Sequence, residues 1–324
     1  MLKALSLSIL AFLLGFPAAA APPAVEVAAV ALDPANPGQT AVGKAIFRGG
    51  LALASEDPAF GGWSDLLVAP DGSTLLAIGD QGAWMTAVLQ YDSQGNLAGA
   101  VVTDMGRLKG LDGADLGNDK ETADAEALAP GQDGGYLVAF ERQHRIWLYS
   151  PDLAGVPVEA DMPLAIQGLK PELANNGIEA LSRLADGRLI MFLEGAEAEG
   201  GTLGFVHGKV TYTHIPYIRQ DNFQITGSAP LPDGGLLLLE RFWSEPTGAL
   251  VRVRRMAADA VGKAITLPPL DLLLDLRQPL TVDNFEGIAA WQDATGKTRV
   301  LLLSDDNFNR GQQRTLLLDF ELVQ

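Results

Sequence analysis

Carboxylates recur at one phase of this sequence. Glu126 stands seven residues before the turn residue Asp133 and Glu141 eight after it, and Glu179, Asp186 and Glu194 repeat that spacing. Asp65 with Asp80, Thr226 with Glu240, and Glu286 with Asp305 approximate it in three further segments. Acids placed at matching distances on either side of a hairpin turn lie at the same end of an antiparallel pair. Like charges gathered there repel one another, which requires an offset. One offset is the guanidinium of Arg142 or Arg241, each directly after an acid. The other is a hard divalent cation, because calcium accepts about six to eight oxygens in flexible arrangements. Further oxygen ligands stand nearby in Asn175-Asn176-Gly177-Ile178-Glu179, Asp221-Asn222, Asp283-Asn284-Phe285-Glu286 and Asp305-Asp306-Asn307. The candidate metal ligands are therefore Asp65, Asp80, Glu126, Glu141, Glu179, Glu194, Glu240, Glu286 and Asp305. No spacing matches an EF-hand or repeats-in-toxin loop, so calcium is inferred from charge alone. The plainer alternative is that these acids are solvated strand ends with Asx turns.

The elements that position the acids are hairpins. Five segments read as a polar or acidic residue, a short apolar strand, an Asp-Gly or similar turn, a second apolar strand and an acid. They begin near residues 65, 126, 179, 226 and 286. Asp-Gly supplies the backbone geometry of tight turns between strands. Leu236-Leu237-Leu238-Leu239 and Val300-Leu301-Leu302-Leu303 are too short for helices and fit buried strands. Arg145–Tyr149 and Ala249–Val253 supply further strands between the hairpins. A period of roughly 50 residues suits four-stranded blades, and the expectation is an all-β propeller of about six blades in a single domain. The sixth blade is expected from the two ends, with Thr315–Leu322 pairing segments between Ala24 and Leu53. A β-sandwich or β-helix is the alternative. In a radial arrangement the first strand of each blade lines the channel, so the acids gather at one mouth and the turns at the other face.

The first residues combine Lys3, an apolar run from Ala4 to Phe16 and the small residues Ala18–Ala21. This predicts a signal peptide over 1–20, a mature domain over 21–324 and export from a bacterial cytoplasm to the periplasm or beyond. The run is shorter than the roughly 20 residues needed to span a bilayer, and no membrane span is expected after cleavage. Forty acidic against 23 basic residues give a net charge of -17, which disfavours nucleic acid as a partner. Without cysteine there is no disulfide, thiol chemistry or cysteine metal site. The three histidines lack common metal spacing, and neither a nucleophile-elbow serine motif, a phosphate loop nor a dinucleotide glycine fingerprint occurs. Trp63, Trp84, Trp147, Trp243 and Trp291 are expected to pack between blades, with Trp84 or Trp243 the alternative candidates to border a binding mouth.

Several strings, in this order, resemble a known group: Gly61-Gly62-Trp63-Ser64-Asp65-Leu66, Asp80-Gln81-Gly82, Asp124-Ala125-Glu126-Ala127, Asn176-Gly177-Ile178-Glu179-Ala180-Leu181, Asp283-Asn284-Phe285-Glu286-Gly287-Ile288 and Ser304-Asp305-Asp306-Asn307-Phe308. The chain from about Leu51 to Leu322 is similar to the phytase-like family described as having esterase-like activity. The resemblance implies a secreted propeller with an ester-hydrolysing role. Glu56-Asp57-Pro58-Ala59-Phe60 partly echoes the Asp-Asp-Pro-Ala-aromatic motif of propeller phytases. The expected function is calcium-assisted hydrolysis of small phosphate or carboxylate esters. Glu126, Glu179 and Glu286 would act as ligands or general base, and Arg142 and Arg241 would hold the anionic group. The competing expectation is a non-catalytic propeller that binds a small ligand, a polysaccharide or an envelope protein.

Overall fold

The computed structural model describes residues 24–117, 119–131, 134–160, 176–198, 201–207, 212–217, 219, 221–262 and 270–323. The expected signal peptide lies outside them, as do Asp133 and Asn175. The chain opens with β1 (Glu26–Ala29), β2 (Ala41–Val42) and β3 (Ala45–Ala54). Blade 1 follows as β4 (Trp63–Val68), β5 (Thr74–Gly79), β6 (Ala83–Tyr91) and β7 (Leu97–Arg107). A single-turn helix, α1 (Lys120–Ala123), precedes blade 2, which comprises β8 (Ala125–Pro130), β9 (Tyr136–Phe140), β10 (Arg145–Tyr149) and β11 (Val158–Ala160). Blade 3 is β12 (Ile178–Arg183), β13 (Leu189–Ala198), β14 (Gly201–His207) and β15 (Tyr212–Tyr217). Blade 4 is β16 (Gln224–Pro230), β17 (Leu236–Ser244), β18 (Gly248–Met256) and β19 (Asp271–Leu276). Blade 5 is built on β20 (Asn284–Gln292), β21 (Thr298–Asp305) and β22 (Thr315–Leu322). No helix among the described residues is long and apolar enough to cross a membrane.

The architecture is a β-propeller of antiparallel sheets, with five blades among the described residues rather than six. The two chain ends do meet, as the sequence suggests, but they complete blade 5 instead of forming another: β3 pairs with β22, and β1 and β2 pair with β3. The ring is thereby closed by hydrogen bonds between the N-terminal strand β3 and the last strand of the chain, β22, which are neighbours within one sheet. The inner strands pack in the cyclic order β4, β8, β12, β16, β20 and back to β4.

Each blade is buried on both faces, and this explains the continuous apolar runs. Leu237 and Leu239 face the core between blades 4 and 5, whereas Leu236 and Leu238 face the core between blades 3 and 4. Val300 and Leu302 likewise join one core and Leu301 and Leu303 the next. The side-chain period of two thus distributes leucines to both sides. At the far face the turns close as expected: Asp71, Asp186, Asp233 and Asp293 accept from the backbone N–H two residues on, at 2.8–3.1 Å. Gly72, Gly187 and Gly234 follow them with φ of 75–86°.

Five inner strands around one axis approach closely. A Cβ on Gly227 would lie 2.6 Å from the carbonyl oxygen of Glu286, and one on Gly287 would lie 2.8 Å from Leu66. Ala127 and Ala180 occupy the matching positions of blades 2 and 3, both fully buried. Blade 1 departs from this rule with Asp65. Its carboxylate accepts from the N–H of Leu66 and of Leu128, each at 2.8 Å, and from the backbone of Ile288, so one side chain joins three inner strands. Replacing Asp65 by alanine strands these buried donors, each costing about 1–3 kcal/mol. Asp65→Ala is expected to lower unfolding stability by about 3 kcal/mol or more in urea titrations, and Asp65→Asn by less because an acceptor oxygen remains.

Candidate functional site

Every inner strand carries a β-bulge near its start, where the register skips one residue. The skipped residues are Ser64, Glu126, Glu179, Thr226 and Glu286. A bulge leaves its residue unpaired and re-aims the side chain. Glu126, Glu179 and Glu286 converge in this way. On the second strands the equivalent end positions are Asp80, Glu141, Glu194, Arg241 and Asp305, which lie opposite Gly62, Asp124, Gly177, Gln224 and Asn284. The outcome is one interacting group at the mouth: Asp80, Asp124, Glu126, Glu141, Glu179, Glu194, Glu286 and Asp305.

Two of the sequence-derived ligands fall outside it. Asp65 is one residue past its bulge and serves the inter-strand bonds described above; the bulge residue of blade 1 is Ser64. Glu240 is fully buried inside blade 4, where it accepts from Arg254 Nε at 2.8 Å and from the Tyr217 hydroxyl. The position at the mouth belongs to its neighbour Arg241. Spacing could have shown both corrections. Counting seven residues back from Asp71 falls on Ser64, and counting eight forward from Asp233 falls on Arg241.

Cations stand among these acids, and Arg219 and Arg241 both act on Glu194. Arg241 lies 3.2 Å from Glu286 Oε1 and 3.5 Å from Glu194 Oε1, and donates to Asn284 Oδ1. Lys120, presented by α1, contacts Asp80 and lies 3.9 Å from Asp124. Arg142, held at φ 54°, donates to Asp124 Oδ2 at 2.6 Å and so braces an acid at the rim. Asp124 and Lys120 were not singled out by the repeat, because both lie before the strand. Asp124 was nonetheless readable from its place two residues before Glu126.

Burial is the main cause of the unusual proton affinities here. It raises Glu126 and Glu179 well above the carboxylate range, with neighbouring acids adding to it: Asp124 and Glu286 for Glu126, Glu194 and Glu141 for Glu179. Burial brings Glu141 to about 7 against a bond from the Gly177 N–H, and Glu286 to about 7 against the attraction of Arg241. Burial likewise raises Asp80, Glu194 and Asp305.

The donor set fits a hard cation. Ligand oxygens of Asp124, Glu126 and Glu141 all lie within 4.8 Å of one another. Oδ1 of Asp80 and Oδ1 of Asp124 are buried without a hydrogen-bond partner, on residues only 4 % and 1 % exposed. Unsatisfied buried carboxylate oxygens are expensive, and a cation is the counterpart that their chemistry accepts.

Fold and site together define a β-propeller, with five blades among the described residues, and an acidic, partly buried mouth. The chain belongs to the phytase-like family described as esterase-like activity of phytase, which matches residues 58–308. Among solved structures it is similar to virginiamycin B lyase from Staphylococcus aureus, at 10% identity over 92% of this chain and 100% of that one, TM-score 0.42. It is also similar to an α-L-arabinofuranosidase from Podospora anserina, at 12% identity over 87% and 98%, TM-score 0.48. A protein of unknown function from Dyadobacter fermentans gives 16% identity over 92% and 91%, TM-score 0.41. These values bear on neither substrate nor mechanism. A search of curated proteins finds no match.

Without a bound cation, Glu141 and Glu286 hold protons in the folded state up to about pH 7 but release them near their ordinary 4.5 when unfolded. The folded chain then binds more protons than the unfolded one between these limits, so stability falls as pH rises through them. In EDTA, calorimetry is expected to give a higher Tm at pH 5 than at pH 8. A Tm that rises across this interval would contradict the description of the mouth.

Proposed function

We propose that the mouth binds a divalent cation, calcium in the first instance, and hydrolyses an ester presented beside it. The observation that carries this reading is the set Asp124, Glu126 and Glu141, whose oxygens lie close enough to share one ion. It is supported by the buried oxygens of Asp80 and Asp124 that accept no hydrogen bond and by family membership. Asp124, Glu126 and Glu141 would hold the ion, with Asp80, Glu179, Glu194 and Asp305 as surrounding oxygen donors. When bound, such an ion supplies positive charge that polarises an ester oxygen and favours ionisation of water.

The chain's own residues divide the remaining work. Glu286, buried at the mouth beside Arg241, is suited to take the proton of an attacking water. Arg241, 3.2 Å from it, would donate hydrogen bonds to the oxygen on which negative charge develops. Arg142 acts through Asp124, which it orients, rather than on the substrate. Glu179 shares a hydrogen bond with Glu141 and holds that carboxylate in place. Export, expected from the signal-like first 20 residues, would put this chemistry in the periplasm or outside the cell.

The test is turnover of p-nitrophenyl acetate and p-nitrophenyl phosphate by chelator-treated protein titrated with calcium. Calcium is expected to raise both Tm and rate, the stabilisation reaching about 2.7 kcal/mol at a hundredfold excess over Kd. Glu126→Gln should abolish the calcium-dependent rise in Tm. Glu286→Gln should lower kcat by about a hundredfold or more and remove the acidic limb of the pH–rate profile. Absence of turnover on both esters with calcium present would instead leave a propeller that only binds its ligand.

A further inference from the structure

Next to the acidic mouth, blades 4 and 5 are separated by a cleft of about 1100 Å³, at or beyond the roughly 300–1,000 Å³ of small-molecule sites. Its chemistry is unlike that of the mouth. Among the described residues that line it, eight of sixteen carry carboxamides, including Gln224, Gln278, Asn307 and Gln313, and three are charged, Arg241, Asp283 and Arg314. A carboxamide donates and accepts at once, as a hydroxyl does. A site selected for polyanions would collect guanidinium and ammonium groups instead. Of the charges present, Asp283 and Arg314 partly neutralise each other at 3.4 Å.

The rim carries the second half of the pattern. Trp243 is 66 % exposed, whereas the other four tryptophans, Trp63, Trp84, Trp147 and Trp291, are at most 8 % exposed and pack between blades. Its exposure is not looseness of the backbone. Trp243 pairs with Ala249 in the β17–β18 hairpin, whose tip is fixed by a 2.5 Å bond between the hydroxyls of Ser244 and Thr247. The neighbouring Phe242 ring lies 5.8 Å from Phe223, which Arg252 covers from 4.0 Å. An exposed indole face beside a group of carboxamides matches the apolar C–H face and hydroxyl edge of a pyranose. Arg241 and Asn284 line the cleft and also touch Glu286, so the cleft is continuous with the mouth.

We propose that this cleft binds a neutral oligosaccharide, with one ring stacked on Trp243 and its hydroxyls bonded to the carboxamides. Resting on the hydrolase reading, it makes the substrate an ester carried on a sugar. The test is calorimetric titration of the full chain with cellotetraose, xylotetraose, chitotetraose and maltotetraose, with inositol hexakisphosphate as the charged comparison. At least one neutral tetrasaccharide is expected to bind, with quenching or enhancement of tryptophan fluorescence. Trp243→Ala should weaken that binding tenfold or more, Trp243→Phe less than threefold, and Gln313→Ala several-fold; circular dichroism of each variant should match wild type. Binding of none of the tetrasaccharides, an unchanged affinity in Trp243→Ala, or binding of inositol hexakisphosphate alone would overturn the proposal. Turnover of p-nitrophenyl acetate without any sugar binding would sink this inference and spare the hydrolase. Sugar binding without turnover of any ester would do the reverse.

Discussion

Five strands converge on one axis so closely that, one residue past each bulge, four of them admit nothing larger than alanine. Gly227 and Gly287 sit against the backbone or side chains of the next inner strand, and Ala127 and Ala180 hold the same place in their blades. Most of what is distinctive about the molecule follows from that crowding. In that layer the strands have no room for large apolar side chains, and the acids stand just beyond it at the mouth, where the bulges turn Glu126, Glu179 and Glu286 inward. Asp65 is tolerated in the crowded layer because its oxygens replace backbone partners on both sides.

The mouth stands in electrostatic opposition to its scaffold. The cores between blades favour tight closure, while the acids that closure brings together repel one another and lose hydration. Lys120, Arg142 and Arg241 relieve part of this, each contacting at least one carboxylate. They leave buried oxygens of Asp80 and Asp124 without a hydrogen bond. A fold that stabilises itself by burying leucines on both faces of every blade can hold such a group in place, since the driving force of the cores is independent of the charges. The same burial lifts the proton affinities into the range where a carboxylate can exchange a proton at neutral pH.

Blade 4 breaks the symmetry. Where its counterparts carry an acid, it carries Arg241, and its second hairpin extends past the sheet to present Trp243. The mouth thus acquires a cationic side and, beside it, an amide-lined cleft. A ring of identical blades would have made a symmetric acidic funnel with no direction of approach; one substituted position gives the site an orientation toward the gap between blades 4 and 5.

The sequence by itself determined the repeat, the all-β class, the Asp-Gly turns and the recurrence of acids at one end of each hairpin. These depend on local backbone geometry and on the side-chain period of two, both of which are written in neighbouring residues. It also carried the family strings that the comparison bore out. Blade number was decided only by tertiary structure, because whether the two chain ends form a sixth sheet or complete the fifth depends on strand pairing across more than 250 positions. The site was half legible for a similar reason. Glu126, Glu141, Glu179, Glu194, Glu286, Asp80 and Asp305 were readable from spacing, yet a bulge shifts every side chain beyond it to the other face. Asp65 stands one residue after the phase of Glu126 and Glu240 one before the phase of Glu141; because side chains alternate along a strand, both lie inside the scaffold while Arg241 stands at the mouth.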